Sequence, residues 1–279
     1  MIRKQYNKII IIRWVIIIVL FLFCISKLLF PNSSFTGLYG PIAAISICIL
    51  ACLHGTDRYG FKNLAIFFLI TWLISNFFEA LSIYMGFPFG NYHYTMPGIR
   101  ILDVPLIIMP AYFGMGYMSW TLSNILTGQN GKKLKGTHIF LVPFVATFIM
   151  VMWDVVMDPV MATINKEWIW EDGGTYLGIP ISNYLGWFFV VYVFLQLFAV
   201  FIAKFDIKGN DTQFNKAFWL EAAMLYGIQA MNFVGYAIVN TNNIEIYRST
   251  GLISIFTMMF VSILSIITIF NSNPKGDKL

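Results

Sequence analysis

The stretch IIIIRWVIIIVLFLFCISKLLF, residues 9–30, is broken only by Arg13, Ser26 and Lys27. A helix needs roughly 20 apolar residues to cross the ~30 Å hydrocarbon layer of a bilayer. This run is long enough. It also exceeds the roughly 7–15 residues of a signal-peptide core, and no small-residue cleavage site follows it. It therefore reads as a retained first membrane span.

Seven further runs of this kind follow along the 279-residue chain: 38–54, 63–83, 104–124, 138–157, 183–203, 215–239 and 251–270. The second is short and begins near Pro41. The composition agrees, with 58% hydrophobic and only 11% charged residues. A water-soluble domain carries about 25% charged residues, so lipid must be the solvent for most of this chain. The expectation is an all-α, polytopic integral membrane helical bundle, with about eight transmembrane helices and a single membrane domain over 1–279. Cys24, Cys48 and Cys52 lie inside apolar runs and read as small buried hydrophobes.

Basic residues set the orientation. Fourteen of the 18 lysines and arginines, including Arg3, Lys4, Arg13, Arg58, Lys208, Lys275 and Lys278, fall at one set of span ends. Lys27, Arg100, Lys166 and Arg248 fall at the other. The positive-inside rule then places both termini in the cytoplasm of a multi-pass plasma-membrane protein. The net charge of +5 belongs to these loops and points to no nucleic-acid partner.

The non-cytoplasmic face carries two long loops, 84–103 and 158–182, rich in Gly, Pro, Tyr and Trp. Carboxylates gather beside them. Acidic residues in a span are costly and mark function by default. Glu79 ends the third span, Asp103 opens the fourth, and Asp154 and Asp158 end the fifth. Asp154 and Asp158 are four apart and share a helix face. Two carboxylates so placed repel when both are ionised, so the pair favours holding a proton, and a carboxylic acid in an apolar pocket can donate one. Plainer readings exist. Asp158 precedes Pro159 and is expected to leave the helix. Asp103 has the position of an N-cap. Glu221, at the cytoplasmic side, is expected to pair with Lys216 or Gln229 outside the site.

Aromatic residues surround the acids, among them Tyr92, Tyr94, Trp153, Trp168, Trp170, Tyr176 and Trp187. Many would serve in an interfacial belt, but aromatic faces also stabilise a cation. His93 is the lone histidine on this side, so a metal site would have to be carboxylate-rich. There is no DDxxD-type repeat, Walker sequence, HExxH or GxSxG.

The string Glu79 … Gly86-Phe87-Pro88-Phe89-Gly90-Asn91-Tyr92-His93-Tyr94 resembles a block of the carotenoid biosynthesis membrane proteins, whose characterised members include carotenoid 1′,2′-hydratases. Trp153-Asp154-Val155-Val156-Met157-Asp158-Pro159 resembles their second block. Trp168, Trp170, Tyr176, Gly178-Ile179-Pro180, Asn183 and Trp187 follow in similar order. The resemblance implies a hydro-lyase that adds water to the terminal C=C of a linear carotenoid, with no metal or organic cofactor. Protonation by Asp154 or Asp158, a tertiary carbocation, and water handled by Glu79 would give a tertiary alcohol. Tyr92, Tyr94, Trp153, Trp170 and Tyr176 would line the pocket, with His93 and Asp103 nearby, and Asn183 would hold water. The polyene would enter sideways from the lipid. A carotenoid or terpene cyclase would use the same acid and quench by proton loss. A transporter or lipid-binding protein is a reading of another class, although transporters place polar residues nearer the midplane. A structural partner in a complex of carotenoid enzymes is the remaining reading.

Overall fold

The computed structural model describes residues 2–31, 33, 39–206 and 215–272, with side chains from Lys8 onward. Lys208, Lys275 and Lys278, and the side chains of Arg3 and Lys4, lie outside what it describes.

Among the described residues, eight helices form the bundle: α1 (Ile2–Leu29), α2 (Tyr39–Tyr59), α3 (Phe61–Met85), α4 (Ile108–Leu126), α5 (His138–Asp158), α6 (Ile181–Phe205), α7 (Lys216–Val239) and α8 (Ile244–Asn271). Large apolar side chains cover the outside, such as Leu73, Leu185 and Phe256, which are 66%, 67% and 72% exposed. That is the pattern of a surface solvated by lipid.

Seven of the eight are long and apolar enough to cross a membrane; α4 is the exception. The reason is its position. It packs against α2, α3, α5, α6, α7 and α8, and every residue from Tyr112 to Ile125 is buried. A helix jacketed by other helices meets little lipid, so it can carry Tyr112, Tyr117, Ser119, Thr121, Ser123 and Asn124 inward. Close approach helps: a Cβ at Gly114 would stand 2.8 Å from Ile47 Cγ2 and 3.2 Å from the Cys48 amide nitrogen.

Two expectations need correction at helix ends. Asp158 does not leave the helix: it keeps right-handed helical angles, and the chain continues into a π-helical stretch, Pro159–Ile164. Proline cannot donate to an i−4 carbonyl and its ring crowds that carbonyl. The wider turn relieves the clash, with Asn165 N–H bonding back to Val160 O at 3.0 Å. Wide turns of this kind recur at functional sites. Asp103 is not an N-cap either, since α4 starts five residues later. Leu102 and Asp103, both at positive φ (53° and 64°), turn a small hairpin between β2 (Arg100–Ile101) and β3 (Val104–Pro105), as a two-residue turn requires.

The two long loops pair with each other. β1 (Tyr92–Tyr94) and β4 (Trp168–Trp170) run antiparallel, with Tyr92 opposite Trp170 and Tyr94 opposite Trp168. This short sheet forms a lid. Ser82 Oγ receives the Phe89 and Gly90 amides at 3.0 and 3.2 Å and donates to Gly90 O at 2.9 Å, tying the lid to α3. Ser182 Oγ donates to Phe89 O at 2.9 Å, tying it to α6.

At the opposite end of the bundle, charges are buried in pairs. Arg13 bonds Asp57 and, at 2.6 Å, Glu221. That pairing corrects the expectation that Glu221 meets Lys216 or Gln229. Arg58 grips Asp206 with two nitrogens at 3.0 and 2.8 Å. His54 donates or accepts with Tyr117 Oη at 2.6 Å and stacks on Phe218.

Candidate active site

Helix α3 brings Glu79 to the lid end of the bundle, and α5 brings Asp154 and Asp158 on one face. All three are 4% exposed or less. They meet in one cavity of about 60 Å³, walled by Phe89, Tyr92, Tyr94, Tyr112, Trp153, Trp168, Trp170, Asn183 and Trp187. The β-strand alternation explains the lid's share of these residues. Tyr92 and Tyr94 point in and are buried, while His93 between them points out.

Glu79 is held by three phenols. Tyr92 and Tyr94 donate to Oε2, the latter at 2.9 Å, and Tyr112 donates to Oε1 at 2.5 Å. Three donors suit an ionised carboxylate, and Oε1 keeps a lone pair for one more. The phenols stay neutral: burial first, and then the charge of Glu79, push Tyr92 and Tyr94 well above the ordinary phenol range.

Asp154 and Asp158 share one amide. Asn183 Nδ2 donates to Asp158 Oδ2 at 2.7 Å and to Asp154 Oδ2 at 3.2 Å. Trp168 Nε1 donates to Asp158 Oδ1 at 2.8 Å. Asp154 Oδ1 is buried and has no partner, and so is Trp170 Nε1 across the same cavity. Buried polar atoms are nearly always paired, so an unpaired carboxyl oxygen on a cavity wall is available to a bound molecule.

The walls are flat aromatic faces. Trp187 stacks on Tyr112 with ring centroids 4.6 Å apart and planes 3° from parallel. Trp153 meets Trp187 edge-on at 6.2 Å. Tyr92 lies 4.8 Å from Trp170.

Glu79, Asp154, Asp158, Tyr92, Tyr94, Trp153, Trp170 and Asn183 thus come together. Three other candidates do not. Asp103 sits on the exposed hairpin, accepting from Tyr84 at 2.5 Å. His93 is exposed and pairs with Glu171 on the lid's outer face. Tyr176 stands behind the site, donating to Val155 O at 3.2 Å and packing edge-on against Tyr184, with burial pushing its phenol up to about 12. Tyr112 escaped the sequence reading, because a tyrosine inside a span gives no signal apart from core packing.

The sequence pattern of the carotenoid biosynthesis protein family matches residues 38–256. The chain belongs to that family. The match runs from the start of α2 into α8 and contains every residue of the cavity. Membership makes this a multi-pass carotenoid biosynthesis protein, and its substrate a hydrophobic carotenoid. No curated protein and no solved structure matches the chain.

Proposed function

We propose that this carotenoid biosynthesis protein is a hydratase of the cell membrane, a hydro-lyase that adds water across the terminal C=C of a linear carotenoid. The observation that carries the reading is the pairing of two unlike carboxyl sites in one aromatic cavity. Asp154 offers an unpaired oxygen, and Glu79 carries three phenol donors.

An unactivated alkene reacts with water only after protonation. The π electrons of the terminal double bond take the proton of Asp154, whose partner Asp158 is fixed by Trp168 and Asn183. The positive charge settles on the tertiary carbon. The faces of Tyr112, Trp187 and Trp153 stabilise it through their quadrupoles. Water, oriented by the free lone pair of Glu79 Oε1, forms the C–O bond and gives its proton to a carboxylate as general base. The product is a tertiary alcohol, and the enzyme needs one proton shuttled back to Asp154 to turn over. The cavity, of about 60 Å³, receives the end group, while the polyene remains in apolar surroundings.

The test is expression in a bacterium engineered to make lycopene or γ-carotene, with pigments analysed by liquid chromatography and mass spectrometry. A product heavier by one water, about 18 mass units, absent with Asp154→Asn, supports the reading under the general acid it requires. An isomer of unchanged mass would replace it with a cyclase. Unchanged pigment would reject both for these substrates.

A further inference from the structure

A second cavity, of about 70 Å³, adjoins the first. Three residues belong to the walls of both: Ala111, Trp153 and Met157. One wall of the second cavity is apolar, and the other carries Tyr39, Gln229, Asn232 and Tyr236. Behind that wall lies Lys27, only 5% exposed. Its Nζ donates to Asn232 Oδ1 at 2.7 Å and sits 3.6 and 4.5 Å from the ring centres of Tyr236 and Tyr39. Gln229 Nε2 reaches Tyr39 Oη at 3.4 Å.

An apolar cavity stays dry, whereas one with polar partners and more than roughly 10–15 Å³ can hold a water. This cavity has the volume for water, and Tyr39, Gln229, Asn232 and Tyr236 bring polar atoms to its otherwise apolar wall. The mechanism above makes a demand that it answers. The cation must be shielded by aromatic walls, yet one water must reach it each turnover. A substrate end group filling the acid cavity leaves little room there for a reserve. The smallest side chain of the common wall, Ala111, is one residue before Tyr112, which holds Glu79.

We propose that the second cavity is a water chamber that supplies the nucleophile to the carbocation past Ala111, with Gln229 and Asn232 as its polar anchors and the Lys27 ammonium keeping it wet. This inference rests on the hydratase reading. The chamber decides the fate of the cation. With water delivered, its oxygen bonds to the tertiary carbon and the surplus proton goes to a carboxylate. Without it, a neighbouring carbon loses a proton to the same carboxylate, and a double-bond isomer of the starting polyene leaves.

The experiment measures the ratio of alcohol to double-bond isomer in the lycopene-producing host for the wild type, Gln229→Leu/Asn232→Leu and Ala111→Leu. The first variant dries the chamber, and the second narrows the passage. The ratio is expected to fall about tenfold or more in both, the weight of one well-made hydrogen bond at the branch point. Variants are first checked for wild-type elution in detergent. If the double variant does not elute as the wild type does, the single variants Gln229→Leu and Asn232→Leu decide, since both residues line only the second cavity. Wild-type ratios in a folded variant overturn the chamber. A wild type that makes no alcohol at all overturns the hydratase reading itself, and the chamber with it.

Discussion

The phenol of Tyr112 meets Glu79 Oε1 at 2.5 Å from the helix that has the least membrane-like sequence in the bundle. The two facts have one cause. Because the other helices shield α4 from lipid, it can carry polar groups inward, and Tyr112 among them faces the cavity. Tyr112 also stacks on Trp187, so one side chain fixes both a carboxylate and an aromatic wall. Tyr112→Phe keeps the stack and removes the donor. A hydrogen bond to a charged group contributes about 1.5–3 kcal/mol, so turnover is expected to fall roughly 10- to 100-fold with substrate binding unchanged. A loss of binding with turnover intact would contradict the assignment.

The two aspartates are not equivalent. Asp154 has an oxygen free, and Asp158 has both oxygens engaged. Asp154→Asn is expected to abolish hydration by about 10²-fold or more, the usual contribution of a general acid. Asp158→Asn should cost less, acting through the position of Asn183. Equal losses would mean that the pair works as one proton-sharing unit.

The tyrosines that hold Glu79 predict a pH profile. Tyr92 and Tyr94 ionise well above the ordinary phenol value because they are buried and face a carboxylate. A pKa raised on folding leaves the phenol's contribution complete below its unfolded value, about 10, and lost only as pH climbs toward the folded one. No activity should therefore be lost to phenol ionisation between about pH 8 and 10. A pH–rate curve with a falling limb in that window, absent in Tyr94→Phe, would show that the lid phenols are open to water.

The lid's seat leaves no spare volume. A Cβ at Gly186 of α6 would lie 2.8 Å from both Pro88 O and Phe89 Cδ1. Gly186→Val must lift the Pro88–Phe89 segment, at a cost of about 1–3 kcal/mol for overpacking. Expected is a large loss of hydration with helix content by circular dichroism unchanged. Full activity would show that the lid need not close over the cavity.

The far end of the bundle offers a control. Arg13→Met leaves Glu221 buried without its counter-charge, and breaking a buried pair costs about 3–5 kcal/mol. Thermal stability in detergent should drop sharply, while the alcohol-to-isomer ratio of surviving protein stays that of the wild type.

Lipid makes helices easy to read from sequence, because it demands unbroken apolar runs. The ends of α3, α5, α6 and α7 fall within two residues of the runs at 63–83, 138–157, 183–203 and 215–239. The failures have physical causes. Helix α2 continues past 54 to Tyr59 because His54, Asp57 and Arg58 face protein partners, which a hydropathy reading takes for a loop. The π-helical stretch after Asp158 hides behind a proline. The lid strands are three residues long, too short for an alternating pattern, and their pairing joins segments some 75 residues apart. The three carboxylates were legible because charge in a membrane is rare. Tyr112 was not, because a tyrosine there is ordinary.

The pairing of β1 with β4 sets a clock on the protein's synthesis. Glu79, its three phenols and half the lid are made and inserted before Asp154, Trp168 or Asn183 leaves the ribosome. For that interval neither portion of the chain holds a complete site. The cavity shared by Glu79 and Asp154 gains its lid wall only when Tyr92–Tyr94 finds Trp168–Trp170. If the hydratase reading holds, a nascent chain has no walled acid to offer the polyenes around it until the last strand has docked.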